Sequence, residues 1–351
     1  MTPLYGIAIF LSMLCVGEGL GAELEVGKAT LIYTDDEIPI RYDGSLSTIK
    51  DTNGRMLFFH SFGCRLKNKE YRRSRHSWHT GPPHDPLTTH LSSTNDEDFW
   101  DYDGWYENAD ERGIWILGMY ETDDGHLLGL THSEVRYPGK QQQFALGIGY
   151  SKDHGQSWTY CGEIIKAADP HKNVGGGAYH VVGDYLQVYY NDTEGQCMAR
   201  AQLRDVLRRA RSHRVGKWLK YRKGKWDMPG LAPTSGSPLF PGKGGEDVHS
   251  DAAYCTALKT YLLTVQTHGR GQLLLYASSD GVEWELETVV DSNNDGLIQP
   301  YSTFVDFDGP TRDCHQVDGD FYIYFPRKNP RNHDWDAMYR VHLQVKSRVE
   351  Q

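Results

Sequence analysis

Apolar and polar residues alternate at the two-residue period of β-strands along most of the chain, with Gly, Asp, Asn and Ser clustered between the runs. The clearest runs are Arg55–His60, Ile114–Tyr120, Leu127–Leu130, Ala178–Val182, Tyr185–Tyr190, Thr260–Val265, Phe321–Phe325 and Tyr339–Val345. They fall into five strand-rich units, at 27–63, 113–170, 173–240, 248–290 and 299–346. Only Leu203–Ala210, flanked by arginines, has the pattern of a helix, and its basic side chains read as a solvated face. Residues 64–112 are rich in charge, His and Trp and poor in periodicity, which predicts a loop insertion lying over one face. Five units of about 45 residues predict an all-β fold, a five-bladed β-propeller in one domain. A six-bladed propeller is the alternative, and it requires the 64–112 stretch to be a blade.

The first residues change the picture of where this domain works. Leu4–Val16 are apolar and too few to span a bilayer, and the small residues Gly19, Gly21 and Ala22 follow. This reads as a signal peptide over 1–22, leaving 23–351 as a secreted or periplasmic domain. Leu14 before Cys15 argues against a lipid anchor, and nothing later is apolar enough for stable membrane insertion. A net charge of −10 argues against nucleic acid as the partner. The 22 Tyr and 9 Trp favour short strands and offer ring faces to sugars, so a carbohydrate is the expected partner. The cysteines left after cleavage are odd in number and widely spaced, and allow one or two bridges without specifying them.

Two turns narrow the fold further. Ser151–Trp158 reads S-x-D-x-G-x-x-W, and Ser278–Trp284 is a shortened version. In each, the Asp can accept turn amides, the Gly can take a left-handed conformation and the Trp can pack beneath. These turns resemble the Asp boxes (BNR repeats) of sialidase-type propellers, where they hold hairpins and do no chemistry. A five-bladed propeller with such turns resembles the arabinanase and levanase-type glycoside hydrolases, family 43-like, and more distantly the sialidases. The resemblance implies a pocket on the propeller axis, lined by polar residues near the start of each blade.

Glycoside hydrolysis needs one protonated and one ionised carboxyl group across the scissile bond, often with a third that tunes them. Asp43, early in the first unit and followed by Gly44 and Ser45, is the candidate base or nucleophile, at the place the resemblance implies. Glu134, at a strand end beside His132, is a candidate general acid. Asp251 enters the apolar run Ala252-Ala253-Tyr254, where a carboxylate must be paired or functional. Which of the three plays which role stays open. Arg41, His132, Tyr179, His180, His249, Tyr301 and Arg312 are the candidates for holding substrate. In the insertion, Trp78, Trp100 and Trp105 are expected as sugar platforms on a lid, and His76, His79, His84 and His90 match no zinc spacing.

The chemistry requires no cofactor. Asp291, Asn293 and Asp295 fit the first half of a calcium loop, although Ser302 stands where such a loop carries its last acid. The sequence therefore reads first as a glycoside hydrolase acting on a poly- or oligosaccharide. A polysaccharide lyase with a His or Tyr base, or a carbohydrate-binding propeller without catalysis, are its rivals.

Overall fold

The structure is a computed structural model that describes residues 22–33, 44–65, 72–193, 195–240, 246–267, 271–292, 301–327 and 337–347. Five antiparallel sheets are arranged as the blades of a five-bladed β-propeller. Blade one runs outward through Ser47–Lys50, Met56–Arg65, Arg72–Thr80 and Thr89–Asn95. Blade two is Glu111–Glu121, Leu127–Arg136, Gln143–Ser151 and Trp158–Ile165, with Trp100–Asp101 added in parallel at its outer edge. Blade three is Gly176–Val182, Tyr185–Asp192, Gly195–Gln202, Leu219–Arg222 and Lys225–Pro229. Blade four has Ala252–Cys255, Thr260–Thr267, Gln272–Ser278 and Glu285–Ser292. Blade five has Thr303–Val305, Asp320–Arg327 and Ala337–Ser347, and takes Ala22–Val26 and Thr30–Tyr33 as partners of its last strand.

Pairing of Ala22 through Val26 with Ser347 through Leu343 places the first described strand and the last one in the same sheet, so the ring is closed by main-chain hydrogen bonds. Between neighbouring blades lie five apolar clusters. Phe59, Trp78, Ile114 and Trp158 fill the first interface, and Trp115, Leu130, Val188 and Ala199 the second. Tyr189, Met198, Leu263 and Tyr276 fill the third, Leu275, Phe304, Ile323 and Val341 the fourth, and Phe58, Val305, Tyr324 and Met338 the fifth. Each blade buries both faces, so its strands alternate less than a half-solvated sheet would.

The 64–112 insertion is not a loop throughout. Arg72–Thr80 and Thr89–Asn95 are the third and fourth strands of blade one, in register as Arg75↔Asn95 through Thr80↔Thr89. Its aromatics belong to the core: Trp78 and Trp100 are each 4% exposed, so neither can serve as a sugar platform. The His and Ser of these strands hid the pattern, because His76, Ser77, His79 and Thr80 are buried alongside Trp78 instead of facing water.

The two Ser-x-Asp turns join the third and fourth strands of blades two and four. Asp153 accepts the amides of Gln156 and Ser157 at 3.1 and 3.0 Å and the hydroxyls of Ser151 and Ser157 at 2.8 and 2.6 Å. Asp280 accepts Val282 and Glu283 amides at 2.8 and 2.9 Å and the Ser278 hydroxyl at 3.0 Å. Gly155 and Gly281 have φ of +82° and +72°, which a side chain would strain. Their carbonyls also clasp the preceding blade. Trp78 Nε1 of blade one donates to Gly155 O at 3.2 Å, and Tyr189 Oη of blade three donates to Gly281 O at 2.9 Å.

Cys161, Cys197, Cys255 and Cys314 are buried free thiols, so none of these four forms a bridge. No helix among the described residues is long and apolar enough to cross a membrane.

Candidate active site

Blade four delivers Asp251 to the axis, one residue before its innermost strand. The backbone fixes the carboxyl: Oδ1 accepts the Ala252 amide at 2.8 Å, and Oδ2 accepts the Phe304 amide of blade five at 3.0 Å. Behind it, Thr264 Oγ1 accepts the Asp251 amide at 3.2 Å, and the Ser302 hydroxyl donates to the same oxygen at 2.8 Å. Asp251 therefore cannot swing away from the axis without breaking bonds to two blades.

The second acid arrives from below the innermost strands. After Thr303–Val305 the chain loops through 306–315 and returns as Gln316–Val317, which pairs in parallel with Tyr254–Cys255. Asp306 cinches this loop by accepting the amides of Asp308 and Asp318 at 3.0 and 2.8 Å. Cys314 sits within it at φ +58°, a left-handed conformation uncommon outside glycine and found disproportionately at functional sites. The strained residue turns its two neighbours onto the axis. Asp313, whose side chain is 1% exposed, accepts the Glu121 amide at 2.9 Å and holds Nδ1 of the His315 ring. With Nδ1 facing a carboxylate, the proton sits there, and Nε2 is the nitrogen left to take or give one.

Asp251, Asp313 and His315 line one axial crevice together with Ser47, Thr48, Gly118, Tyr179 and Thr303. Burial pushes the Asp251 carboxyl up to about 7, the Ala252 and Phe304 amides restrain it, and the Asp313 charge raises it further. A carboxyl near 7 is poised to hold or release a proton at neutral pH. The crevice offers about 10 Å³ to a water-sized occupant, room for a single water. Tyr179, buried, closes its wall by donating its hydroxyl to Met119 O. Gly118 is required there, since a Cβ would stand 2.8 Å from Cε1 of the Tyr179 ring.

A larger groove of about 440 Å³ runs along the outer edge of blade two beside Trp158. Its Asp153 carboxylate is saturated by the turn and held below the ordinary range. The axial crevice, with its buried acid near neutral, is the candidate active site among the described residues.

The other sequence candidates scatter. Asp43 and Arg41 lie outside the described residues; Gly44, the next position, has Leu117 of blade two within 3.7 Å of where its Cβ would be. Glu134 stands on the second strand of blade two, opposite Gly113, and accepts Gln142 Nε2 at 2.7 Å and His132 Nε2 at 3.4 Å. His132 stacks near Trp115 and Phe144, so this pair faces a blade flank and is absent from the axial lining. His180 is buried between blades three and four, with Nε2 on Leu262 O at 3.1 Å and its ring over Trp284; burial drops its pKa to about 3. That ring is packing, not a sugar ligand. His249 lies against Gly175 and takes Asn191 Nδ2 at 2.9 Å, and the left-handed Tyr301 donates its amide to His249 O. Arg312 turns from the crevice to Glu121 and Lys50 O.

Of the calcium candidates, Asp291 is ion-paired with Arg327, which supplies the positive charge a cation would have brought. Asn293 and Asp295 lie outside the described residues. Sequence reasoning gave Asp313 no acid or base role and passed over His315. The Arg312-Asp313 dipeptide resembles the Arg-Asp-Pro of levanase-type enzymes, with Cys314 in place of the Pro, and reads from sequence as a substrate-binding candidate; only the return of the loop to the axis brings Asp313 and His315 to Asp251.

No family model matches the chain, and no curated protein matches it. Solved structures do. A family 117 glycoside hydrolase of the marine bacterium Zobellia galactanivorans is 12% identical, with a TM-score of 0.52 over 95% of this chain and 93% of that one. A Hadza microbial sialidase is 14% identical with a TM-score of 0.47, over 86% of this chain and 52% of that one. A fructofuranosidase from Schwanniomyces occidentalis is 10% identical with a TM-score of 0.45, over 70% and 44%. At these identities the likeness is one of fold.

Proposed function

We propose that the chain is a secreted glycoside hydrolase that cleaves a poly- or oligosaccharide by carboxylate acid/base chemistry on the propeller axis. The observation that carries this reading is the Asp251 carboxyl, raised to about 7 by burial beside a second enclosed acid, Asp313. In its protonated form Asp251 donates to the departing glycosidic oxygen as the C–O bond breaks. Asp43, from its place just before the residues that enter the first axial strand, is the carboxylate that takes the proton of the attacking water. Asp313 holds His315 by Nδ1, and His315 Nε2 completes the hydrogen-bonding around the leaving group. Single displacement with inversion is the course that the resemblance to family 43-like hydrolases implies.

Lyase chemistry requires a cation to neutralise a uronate. No Lys or Arg lines the described crevice, and Arg312 beside it is already engaged by Glu121. The deciding experiment is incubation of residues 23–351 with a panel of neutral and uronate polysaccharides, read by reducing ends and by ultraviolet absorbance of unsaturated uronate. Hydrolysis gives reducing ends alone, and the signal disappears in Asp251→Asn. Absorbance appearing with the reducing ends overturns the reading in favour of a lyase. No product on any substrate leaves a binding propeller.

A further inference from the structure

The cations of this acidic chain are not spread evenly. Between Arg204 and Lys225 there are ten Lys and Arg and a single acid, Asp205, although the whole chain carries −10. The structure places them along the outer strands of blade three, at both ends of that edge. Helix Leu203–Ala210 leaves the end of strand Gly195–Gln202, and the hairpin Leu219–Arg222/Lys225–Pro229 forms the outer edge of blade three.

Local partners account for only some of this charge. Lys220 is buried, its ammonium donating to the carbonyls of Lys166, Ala232 and Thr234 at 2.7, 3.0 and 2.8 Å. Asp205 answers Arg208 and Arg209, and Asp124 answers Arg211. Arg204, Arg214, Lys217, Arg222, Lys223 and Lys225 have no ion pair among the described residues, and all but the half-exposed Arg222 are exposed.

The hairpin tip is the strongest sign that these charges face something. Arg222 and Lys225 stand directly opposite in the ladder, and between them Lys223 and Gly224 turn with φ of +48° and +80°. Three cations are thus held on a two-residue turn, where opposed like charges destabilise pairing. A left-handed lysine adds to that cost where Asn or Asp is preferred. The Lys223 amide donates to Ser237 Oγ at 2.8 Å, which fastens the turn but answers none of its three charges; an anionic partner would. Strand Leu219–Arg222 spans roughly 13 Å, with buried Lys220 within it and exposed Asp227 on the edge strand, so the hairpin tip is the densest group of exposed cations on this edge.

We infer that the outer edge of blade three binds an anionic polysaccharide, a chain carrying sulfate or carboxylate groups. The inference names the substrate class of the proposed hydrolase and rests on that reading: the polymer would be held at the rim while the axis cuts.

The test is binding of labelled dextran sulfate, alginate and uncharged dextran by the full domain across a salt series. The variants are Arg222→Ala/Lys223→Ala/Lys225→Ala, the equally charged control Lys140→Ala/Lys152→Ala/Lys172→Ala on exposed sites elsewhere, and Asp251→Asn. Both polyanions bind at about 50 mM salt and dextran does not; the hairpin variant weakens binding about tenfold and lowers the salt slope by roughly two. The control stays within about twofold, and Asp251→Asn binds like the parent, since neither removes a contact of the rim. Equal losses in the hairpin and control variants overturn the site. Absent binding, or tighter binding to duplex DNA or phosphatidylserine vesicles, overturns the ligand. Failure of hydrolysis with rim binding intact would sink the enzymatic reading alone.

Discussion

Asp153 and Asp251 are the same side chain in two surroundings, and the difference separates scaffold from chemistry. Burial pushes both carboxyls up. At Asp153 the Ser157 hydroxyl and amide, with Ser151 and Gln156, more than offset it, and the net pKa falls below the ordinary value. At Asp251 only two amides donate among the described residues, no hydroxyl joins them, and the Asp313 charge raises the value while His315 lowers it. The deeper burial of Asp251 and its fewer donors together decide the outcome: an ionised Asp153 is locked into a turn, and Asp251 keeps a proton near neutral pH.

The sharpest way to break this contrast is to exchange each acid for its amide. Asp251→Asn should lower kcat/KM by about 10²- to 10⁴-fold, the usual worth of a general acid, in a reducing-end assay. Asp153→Asn should leave kcat/KM nearly unchanged. His315→Gln comes next, with a loss of about 10²-fold and a changed pH profile, because the ring shares the crevice but is not the poised acid.

Stability should show the reverse order. Asp153→Ala removes the acceptor of the Gln156 and Ser157 amides at an exposed turn and should cost about 1 kcal/mol in denaturant unfolding.

The two acids should also respond to pH with opposite signs. Asp251 has an ordinary value of 3.8 and sits at about 7 in the fold, so between those values the folded state keeps a proton that the unfolded chain has released. Its contribution to stability therefore declines as pH rises through that window and levels off above it. Asp251→Asn should gain in Tm over the parent as pH is raised from about 4 to about 8. Asp153, with its lowered pKa, stabilises the fold above 3.8, and that contribution fades as pH falls through its folded value. Asp153→Ala should accordingly be least damaging in acid.

The smallest effect is expected at Glu134. It lies on a blade flank, so Glu134→Gln should change kcat/KM by less than about threefold. A large loss there would move the acid off the axis and end the comparison.

The five blades were legible because strand period and turn residues are local properties, as in Thr260–Val265 or the Ser278–Trp284 turn. Blade one's outer strands were not. Arg72–Thr80 places His and Ser where apolar residues are expected, and burial between two blades removes the alternation that marks a strand. Ala22–Val26 escaped for a different reason, since its partner is the last strand of the chain and no local pattern announces that pairing.

Site residues divided the same way. Asp251 stood out as a charge entering an apolar run. Asp313 and His315 did not, because their place depends on a strained Cys314 and on a parallel pairing between two distant segments. His180 looked like a ligand by its position at a blade start, yet its neighbours Tyr261 and Trp284 make it a member of an interface.

The seam of the ring has a mechanical consequence. Ala22 lies opposite Ser347, so the two strands that close the circle leave the sheet at the same end. A pull on those ends acts across the ladder, and its rungs break in succession instead of sharing the load. Such a ring opens like a zip: the seam would give at low force, well before the clasped turns inside the blades begin to yield.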